Sequence, residues 1–216
     1  MANKKAVSIE RAFCSLLREN DIKKITVSLI CREAGVSRAT FYAYFENVQS
    51  LLSGIEERTL HDILSILEKW DSFRLSSSDA DGIAPPFLDI SRYIYRNRHV
   101  FCALFGPHGD EPFIYRYEQH IYQDFLRYAQ AEGITRLHKL LASSCAGAVI
   151  ALCRTWITDI SLAAPEEIAR LQTAIACRML TASDRFFALI QDGSPSGPSL
   201  GRPSAPAEDA PHTSGR

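Results

Sequence analysis

Two short helical segments meet at a glycine in residues 26–45, TVSLICREAGVSRATFYAYF. Before Gly35, apolar residues recur every three or four positions, as they do on one face of an α-helix. Gly35 is predicted to end this helix, because glycine adopts the left-handed conformation without steric penalty. Ser37 is then placed to cap a second helix that carries Phe41 and Phe45 on its inner side. The pattern predicts a helical hairpin with a tight turn.

A hairpin of this kind is a helix-turn-helix, whose second helix can lie in the major groove of DNA. The outward positions suit that role, because Arg38 can donate hydrogen bonds to guanine or to phosphate. Small residues allow close approach, and hydroxyl groups are available for further contacts. The predicted DNA-binding residues are Thr26, Ser37, Arg38, Ala39, Thr40, Tyr42 and Tyr44. The alternative is an ordinary helical hairpin with a hydrated outer face, and two tyrosines on that face argue against it.

Extended to residue 52, the stretch TVSLICREAGVSRATFYAYFENVQSLL closely resembles the DNA-binding segment of TetR-family transcriptional regulators. The shared features are the threonine cap, the Ala-Gly-Val-Ser turn, the Thr-x-Tyr positions and the final Leu-Leu pair. The resemblance implies an all-α fold of about nine helices. It further implies an N-terminal three-helix DNA-binding domain and a C-terminal helical domain for dimerisation and ligand binding. In the family, the cap at the position of Thr26 typically meets a phosphate.

Three positions depart from the family pattern in ways that reduce positive charge. Ser28 and Val48 stand where arginine and lysine are common, and Glu46 adds an acid near the expected DNA side. Fewer cationic contacts predict weaker non-specific DNA binding than in a typical member. The changes also leave open that DNA is not the only target.

Charge is distributed unevenly along the chain. Residues 1–45 carry eight Lys/Arg and four Asp/Glu, whereas residues 46–216 carry 16 and 21. A basic N-terminal part on an acidic remainder is typical of a protein that contacts phosphates with one end only.

Catalytic and metal-binding motifs are missing from the sequence. It contains no GxSxG, HExxH, Walker or GxGxxG pattern, and its six histidines are scattered singly. The six cysteines form no CxxC pair, so we expect buried thiols in a reducing compartment, with redox sensing as the alternative. We therefore predict no enzyme, no metal site and no cofactor.

Localisation follows from what the sequence lacks. No run approaches the roughly 18 apolar residues of a membrane span, and the charged N-terminus lacks the apolar core of a signal peptide. We expect a cytoplasmic protein without membrane contact.

Three regions are predicted along the chain. Residues 1–50 form the DNA-binding domain, 51–191 form the helical domain, and 192–216 form a disordered tail rich in Gly, Pro and Ser. After a basic arm at residues 1–7, Ser8 is the expected cap of the first helix. Later helices are expected at residues 47–70, 86–98, 99–105, 111–132, 134–162 and 165–190, with a loop at 74–86.

The helix at 134–162 has an apolar face, including Leu140, that is too wide for a single neighbour. In TetR-like proteins the last two helices pair with their copies in a second subunit, which implies a homodimer formed through 134–162 and 165–190. The alternative is that both faces are covered within one subunit.

Aromatic residues are frequent between positions 87 and 156, where they either line a cavity or pack in the core. The family implies a pocket for a small apolar or aromatic ligand. The candidate lining residues are Phe87, Tyr93, Phe101, Phe105, Tyr117, Ile121, Cys145, Val149 and Trp156.

The resemblance predicts a homodimeric repressor that binds a palindromic operator on double-stranded DNA and is released by a small ligand. The alternative is a TetR-like co-regulator that acts through a partner protein. A helical-bundle enzyme is a third hypothesis, and the missing catalytic motifs argue against it.

Overall fold

The computed structural model describes residues 4–70, 81–128 and 136–177, without the side chains of Leu137 and Tyr128. These ranges contain nine α-helices and no strand, which confirms the predicted all-α fold. The helices are α1 (Lys4–Glu19), α2 (Val27–Ala34), α3 (Arg38–Tyr42), α4 (Val48–Glu68), α5 (Pro85–Arg96), α6 (Arg98–Leu104), α7 (Glu111–Tyr128), α8 (Arg136–Thr158) and α9 (165–177). A short 3-10 turn, Ile22–Lys24, connects α1 to α2.

The first three helices form the predicted N-terminal unit, and the start of α4 closes it. Its core contains Phe13, Leu17, Ile30, Phe41 and Leu51, all of them buried. Helices α2 and α3, of eight and five residues, are too short to be stable alone, so the shared apolar core stabilises the unit.

The predicted start of the first helix is wrong. Residues 4–7 are helical and do not form an arm, and Ser8 lies inside α1, where its hydroxyl donates to the Lys4 carbonyl oxygen at 3.0 Å. Lysine and alanine favour helix, and a serine within a helix bonds back to the preceding turn. Ser8 is thus of a residue type that often caps helices, but it does not stand at the start of α1.

Helix α4 begins directly after Asn47, where the sequence predicts its start, and continues from the N-terminal unit into the rest of the chain. The Asn47 side chain accepts a hydrogen bond from the Ser50 N–H at 2.8 Å, and Ser50 Oγ accepts from the Asn47 N–H at 3.0 Å. Arg58 on α4 donates two hydrogen bonds to Glu10 on α1, at 3.0 and 2.8 Å. Tyr93 of α5 donates to Asp62 of α4 at 2.9 Å. Helix α4 is thus bonded to both parts of the chain.

Helices α5 to α9 pack around buried aromatic residues, including Phe101, Phe113 and Trp156. Helix α9 is joined to α5 by polar contacts, since the Ala84 N–H donates to Thr173 Oγ1 at 2.9 Å. Ser91 Oγ donates to Gln172 Oε1 at 3.4 Å. These bonds satisfy polar groups that packing removes from water.

The turn from α6 to α7 needs its two glycines. A Cβ atom on Gly106 would lie 2.5 Å from the Cys102 carbonyl oxygen, and one on Gly109 would lie 2.0 Å from that of Leu104. Asp110 then caps α7 by accepting from the Phe113 N–H at 2.8 Å. Close backbone packing therefore imposes the break between the helices predicted at 99–105 and 111–132.

Several predicted boundaries differ from the structure. The helix expected at 86–98 ends at Arg96, and α8 ends at Thr158, before the predicted end at residue 162. Leu140, expected on the inner face of α8, is 63% exposed. The predictions for residues 71–80, 129–135 and 178–216, including the disordered tail, lie outside the described residues.

The expectation that no segment has the length and apolarity of a membrane span is wrong for α8. Among the described residues, one helix, His138–Thr158, meets that criterion by length and composition. Its inner face packs in the protein core, with Cys145, Cys153 and Trp156 buried. Core helices of folded proteins commonly meet the same criterion.

Candidate nucleic-acid interface

The turn between α2 and α3 forms through local hydrogen bonds at the predicted residues. Thr26 Oγ1 accepts from the Leu29 N–H at 3.2 Å, which caps α2. Gly35 has φ 65° and ψ 34°, so it ends α2 in the left-handed conformation. Ser37 Oγ accepts from the Thr40 N–H at 3.1 Å, which caps α3. Both predicted caps and the glycine turn are confirmed.

Phe41 fixes the rotation of α3 about its axis. Its side chain is fully buried, and its ring centroid lies 5.8 Å from that of Phe45. Since Phe41 must point inward, the other side chains of this short helix are directed away from the core.

The predicted DNA-binding residues lie at the start of α2, along α3, and directly after it. Tyr42 is 51% exposed and Tyr44 is 36% exposed, so both phenol rings are open to solvent. Thr26, Ser37, Arg38 and Ala39 are also exposed, whereas Thr40 is half-buried. Arg38 makes no ion pair with any of the described residues. The surface thus combines a free guanidinium group with two hydroxyl-bearing rings.

The hydroxyl groups of Ser37 and Thr40 lie 3.0 Å apart and share a hydrogen bond. Each hydroxyl retains further capacity for a bond to an external group. Thr40 is therefore oriented by Ser37, and its reach is shorter than that of Arg38.

Two cations next to this surface were not included in the predicted set. Lys23 and Lys24 are exposed in the 3-10 turn immediately before Thr26. Asp21 accepts from the Lys23 N–H at 2.8 Å and so shapes this turn. The adjacent lysines before a helix cap were the sequence signal for extra phosphate contacts.

The positions that depart from the family pattern have different environments. Ser28 and Glu46 are exposed, but Val48 is partly buried and packs against the core. Val48 therefore contributes apolar packing at the start of α4, where a lysine would have offered charge.

Glu56 is a buried carboxyl group on α4 that contacts the α6–α7 region. It is 6% exposed, and its Oε2 accepts from Arg116 at 2.7 Å. Burial and the nearby Asp110 carboxylate raise the pKa of Glu56 from 4.5 to about 7, and Arg116 opposes this rise. The group is thus close to half-ionised at neutral pH, on the helix that connects the two parts of the protein.

We expect Glu56 to make stability depend on pH. Because folding raises its pKa, the folded state holds the proton more tightly, so the stabilisation is complete below pH 4.5 and is lost as the pH rises through about 7. Relative to a Glu56→Gln variant, the parent should lose about 1–2 kcal/mol of unfolding free energy across this window, since Arg116 is half-exposed and solvent screens the pair. Urea unfolding of both proteins from pH 4.5 to 8 measures the difference, and parallel curves would exclude it.

A cavity of about 30 Å³ lies among α4, α5, α7, α8 and α9. Four of the predicted ligand-binding residues line it, namely Phe87, Tyr117, Ile121 and Val149. Sequence reasoning missed the other lining residues, which are Leu67, Ile90, His120, Asp124, Phe125 and Gln172. The volume corresponds to about one water molecule, well below the roughly 300 Å³ of typical ligand pockets.

The other five predicted ligand-binding residues do not line this cavity. The Tyr93 and Phe101 rings make an edge contact at 5.9 Å, and Phe105 lies 5.8 Å from Phe101. Cys145 is buried, and the indole N–H of Trp156 donates to the Ala163 carbonyl oxygen at 2.9 Å. These residues belong to the packed core, the alternative that the sequence left open.

The environments of three buried thiols disfavour redox chemistry. Burial raises the pKa of Cys14 and Cys153 to about 12 and that of Cys145 to about 11. Because the thiolate is the reactive form, such thiols are poor nucleophiles at neutral pH.

Both parts of the chain match models of known protein families. Residues 11–55 match the model described as bacterial regulatory proteins of the tetR family, and residues 82–176 match a transcriptional regulator C-terminal region. The dhaKLM operon transcriptional activator DhaS of Lactococcus lactis subsp. lactis (strain IL1403) is 31% identical over 97 residues, which cover 45% of this chain and 46% of DhaS. The chain therefore aligns with about half the length of this curated relative.

One solved structure extends the likeness in fold. The fatty acid degradation regulator FadR from Bacillus halodurans superposes with a TM-score of 0.59 at 12% identity, covering 83% of this chain and 96% of FadR. A structure of the dihydroxyacetone kinase operon activator DhaS gives a TM-score of 0.44 at 20% identity, covering 87% of this chain and 96% of that chain. With the two matched regions and the helix-turn-helix at α2–α3, the chain belongs to the TetR family of transcriptional regulators.

Proposed function

We propose that the protein is a homodimeric transcriptional regulator that places one α3 helix in each of two successive major grooves of a palindromic operator. The observation that carries this proposal is the exposure of Arg38, Tyr42 and Tyr44 on a helix anchored by buried Phe41. Groove centres on one face of DNA lie about 34–36 Å apart, a separation that two rigidly joined heads can match.

The side chains divide into two kinds of contact. Arg38 and Thr40 contact bases, because α3 directs them into the groove. Thr26, Ser37, Tyr42 and Tyr44 bond to phosphate or sugar, and Ala39 allows close approach. The capped start of α2 adds backbone N–H groups where phosphate is favoured.

The dimer forms through α8 and α9. Helix α8 exposes Leu140, Ala151 and Thr155, and the region around α9 exposes Leu162 and Leu171. Exposed leucines beside small side chains suit close packing of helices in a four-helix bundle. The apolar surface left open in one subunit supports this arrangement.

We expect Ala151→Arg to convert the dimer to a monomer. A long charged side chain in the middle of α8 would separate the paired helices and place an uncompensated charge between them. Sedimentation velocity of the parent and the variant measures the mass directly. Tyr115→Arg, at an exposed position on α7, is the matched control. A parent that sediments at 24.1 kDa would reject the dimer.

We further propose that the protein represses transcription and that a small apolar or aromatic ligand releases it from DNA. The ligand would enlarge the cavity lined by Phe87, Tyr117, Ile121 and Val149, and so favour a conformation with altered spacing of the heads. Helix α4 would transmit the shift because it is bonded to both parts of the chain. A promoter-reporter assay in which the protein raises transcription would reject repression.

A co-regulator that acts through a partner protein is the second candidate. The cavity of about 30 Å³ and the uncharged residues Ser28 and Val48 favour it. DhaS, the aligned relative, is itself described as an activator. Purification from the native host followed by mass measurement of the intact assembly separates the candidates, since only the co-regulator predicts a stoichiometric second protein.

A further inference from the structure

A second, chemically different cleft lies between α1 and the junction of α5 with α6. Its volume is about 380 Å³, and it is an open cleft whose lining residues are all exposed to solvent. Its lining is mainly cationic and consists of Arg11, Ser15, Arg18, Arg96, Arg98 and His99. It shares no residue with the apolar cavity of the helical domain or with the α3 surface.

Helix geometry brings these side chains together. Arg11, Ser15 and Arg18 are spaced by four and three residues, so they share one face of α1. Arg96 and Arg98 flank Asn97, where the chain passes from α5 to α6. Because α1 packs against α6, the two sets face each other across the cleft.

The positive charge of this cleft has no carboxylate counterpart in its lining. Arg11, Arg18 and Arg96 make no ion pair with the described residues, and Arg98 contacts the Tyr95 ring and carbonyl oxygen. The nearby Glu10 is held by Arg58 through two hydrogen bonds. Three of the four guanidinium groups are thus without an ion-pair partner among the described residues, and the fourth, Arg98, contacts only the uncharged Tyr95.

The arginines of the cleft affect the pKa of two side chains on α6, His99 and Cys102. Burial is the largest cause of the lowered pKa of His99, and the charges of Arg11 and Arg98 lower it further. Arg18 and Arg98 also act on Cys102, one turn further along α6. Arginines from both sides therefore influence the same region.

We propose that this cleft binds a small anion that carries two or more phosphate groups. The planar guanidinium group donates paired hydrogen bonds to phosphate oxygens, and arginine is the preferred residue for such contacts. Each phosphate group carries about −1.5 to −2 charges at neutral pH, so two of them balance four arginines. A bound anion would also bond the N-terminal unit to α5 and α6.

Pyrophosphate is the probe that tests this site. Isothermal titration of the full chain, at constant ionic strength, should show saturable binding of pyrophosphate and much weaker binding of inorganic phosphate. Arg18→Gln and Arg96→Gln remove one guanidinium group from each side of the cleft. Each should weaken pyrophosphate binding by about tenfold or more, the effect of one charge-assisted hydrogen bond. Arg136→Gln, at an exposed position on α8, should bind as the parent does.

Two results would overturn the proposal. The first is absence of saturable pyrophosphate binding, or equal affinity in the parent and both cleft variants with unchanged thermal unfolding. The second is loss of affinity for a duplex of random sequence in Arg18→Gln and Arg96→Gln, with pyrophosphate binding intact, which would assign these arginines to DNA phosphates. A cleft variant that unfolds early is replaced by Arg11→Gln, for which the same tenfold loss is expected.

Discussion

Replacing Phe41 with alanine is expected to lower the unfolding free energy by about 3–5 kcal/mol, the usual cost of truncating a buried phenylalanine. The side chain is fully buried in the core shared by α1, α2 and α3. Because α3 is only five residues long, packing and not helix propensity holds it in place. DNA binding should be lost together with stability. Urea unfolding followed by circular dichroism measures the loss.

The neighbouring Tyr42 is the matched control for Phe41. Tyr42→Ala removes a ring of similar size from the same helix, but this ring is half-exposed. Its edge contact with Phe41, at 5.6 Å between centroids, limits the expected destabilisation to about 1 kcal/mol. Equal destabilisation by the two substitutions would show that α3 does not have the orientation described above.

Replacing Arg38 with alanine is expected to weaken specific DNA binding by about 1–3 kcal/mol, or roughly 5- to 150-fold. The side chain is exposed and makes no ion pair among the described residues, so its removal should leave stability unchanged. The loss therefore reports on contact with DNA alone. Gel-shift titration of an operator obtained by selection from random duplex DNA measures it.

A comparison of operator and random duplex distinguishes base from phosphate contact. If Arg38 reads a base, Arg38→Ala reduces operator affinity and leaves affinity for random duplex nearly unchanged. Lys23→Ala, in the turn before α2, should instead weaken binding to both duplexes equally and reduce the salt dependence of the affinity. Unchanged operator affinity in Arg38→Ala would remove Arg38 from the interface.

The N-terminal unit was predictable because its signals are local. Thr26, Gly35 and Ser37 act on backbone groups within a few residues of themselves, so their identity and spacing determine the caps and the turn. Phe41 then follows as the inward residue, since only one side of so short a helix faces the core. The other side chains of α3 are then predicted to be exposed.

The helical domain was less predictable because its contacts join distant parts of the chain. Periodicity placed Leu140 on an apolar face, but which side of α8 meets α7 depends on packing between residues far apart in sequence. For the same reason the sequence could not show that Phe87 lines the cavity whereas Trp156 packs in the core. The arginine cleft had no sequence signal, because Arg18 and Arg96 approach only when α1 packs on α6.

Selection of bound sequences from a random duplex library, with the full chain as bait, tests the central claim most directly. Two α3 helices joined through a dimer predict an enriched inverted repeat whose half-sites are centred about 10 base pairs apart or a multiple of that spacing. Arg38→Ala should enrich the same repeat more weakly. A library that shows no enrichment, or one enriched in a single half-site without two-fold symmetry, would contradict the account.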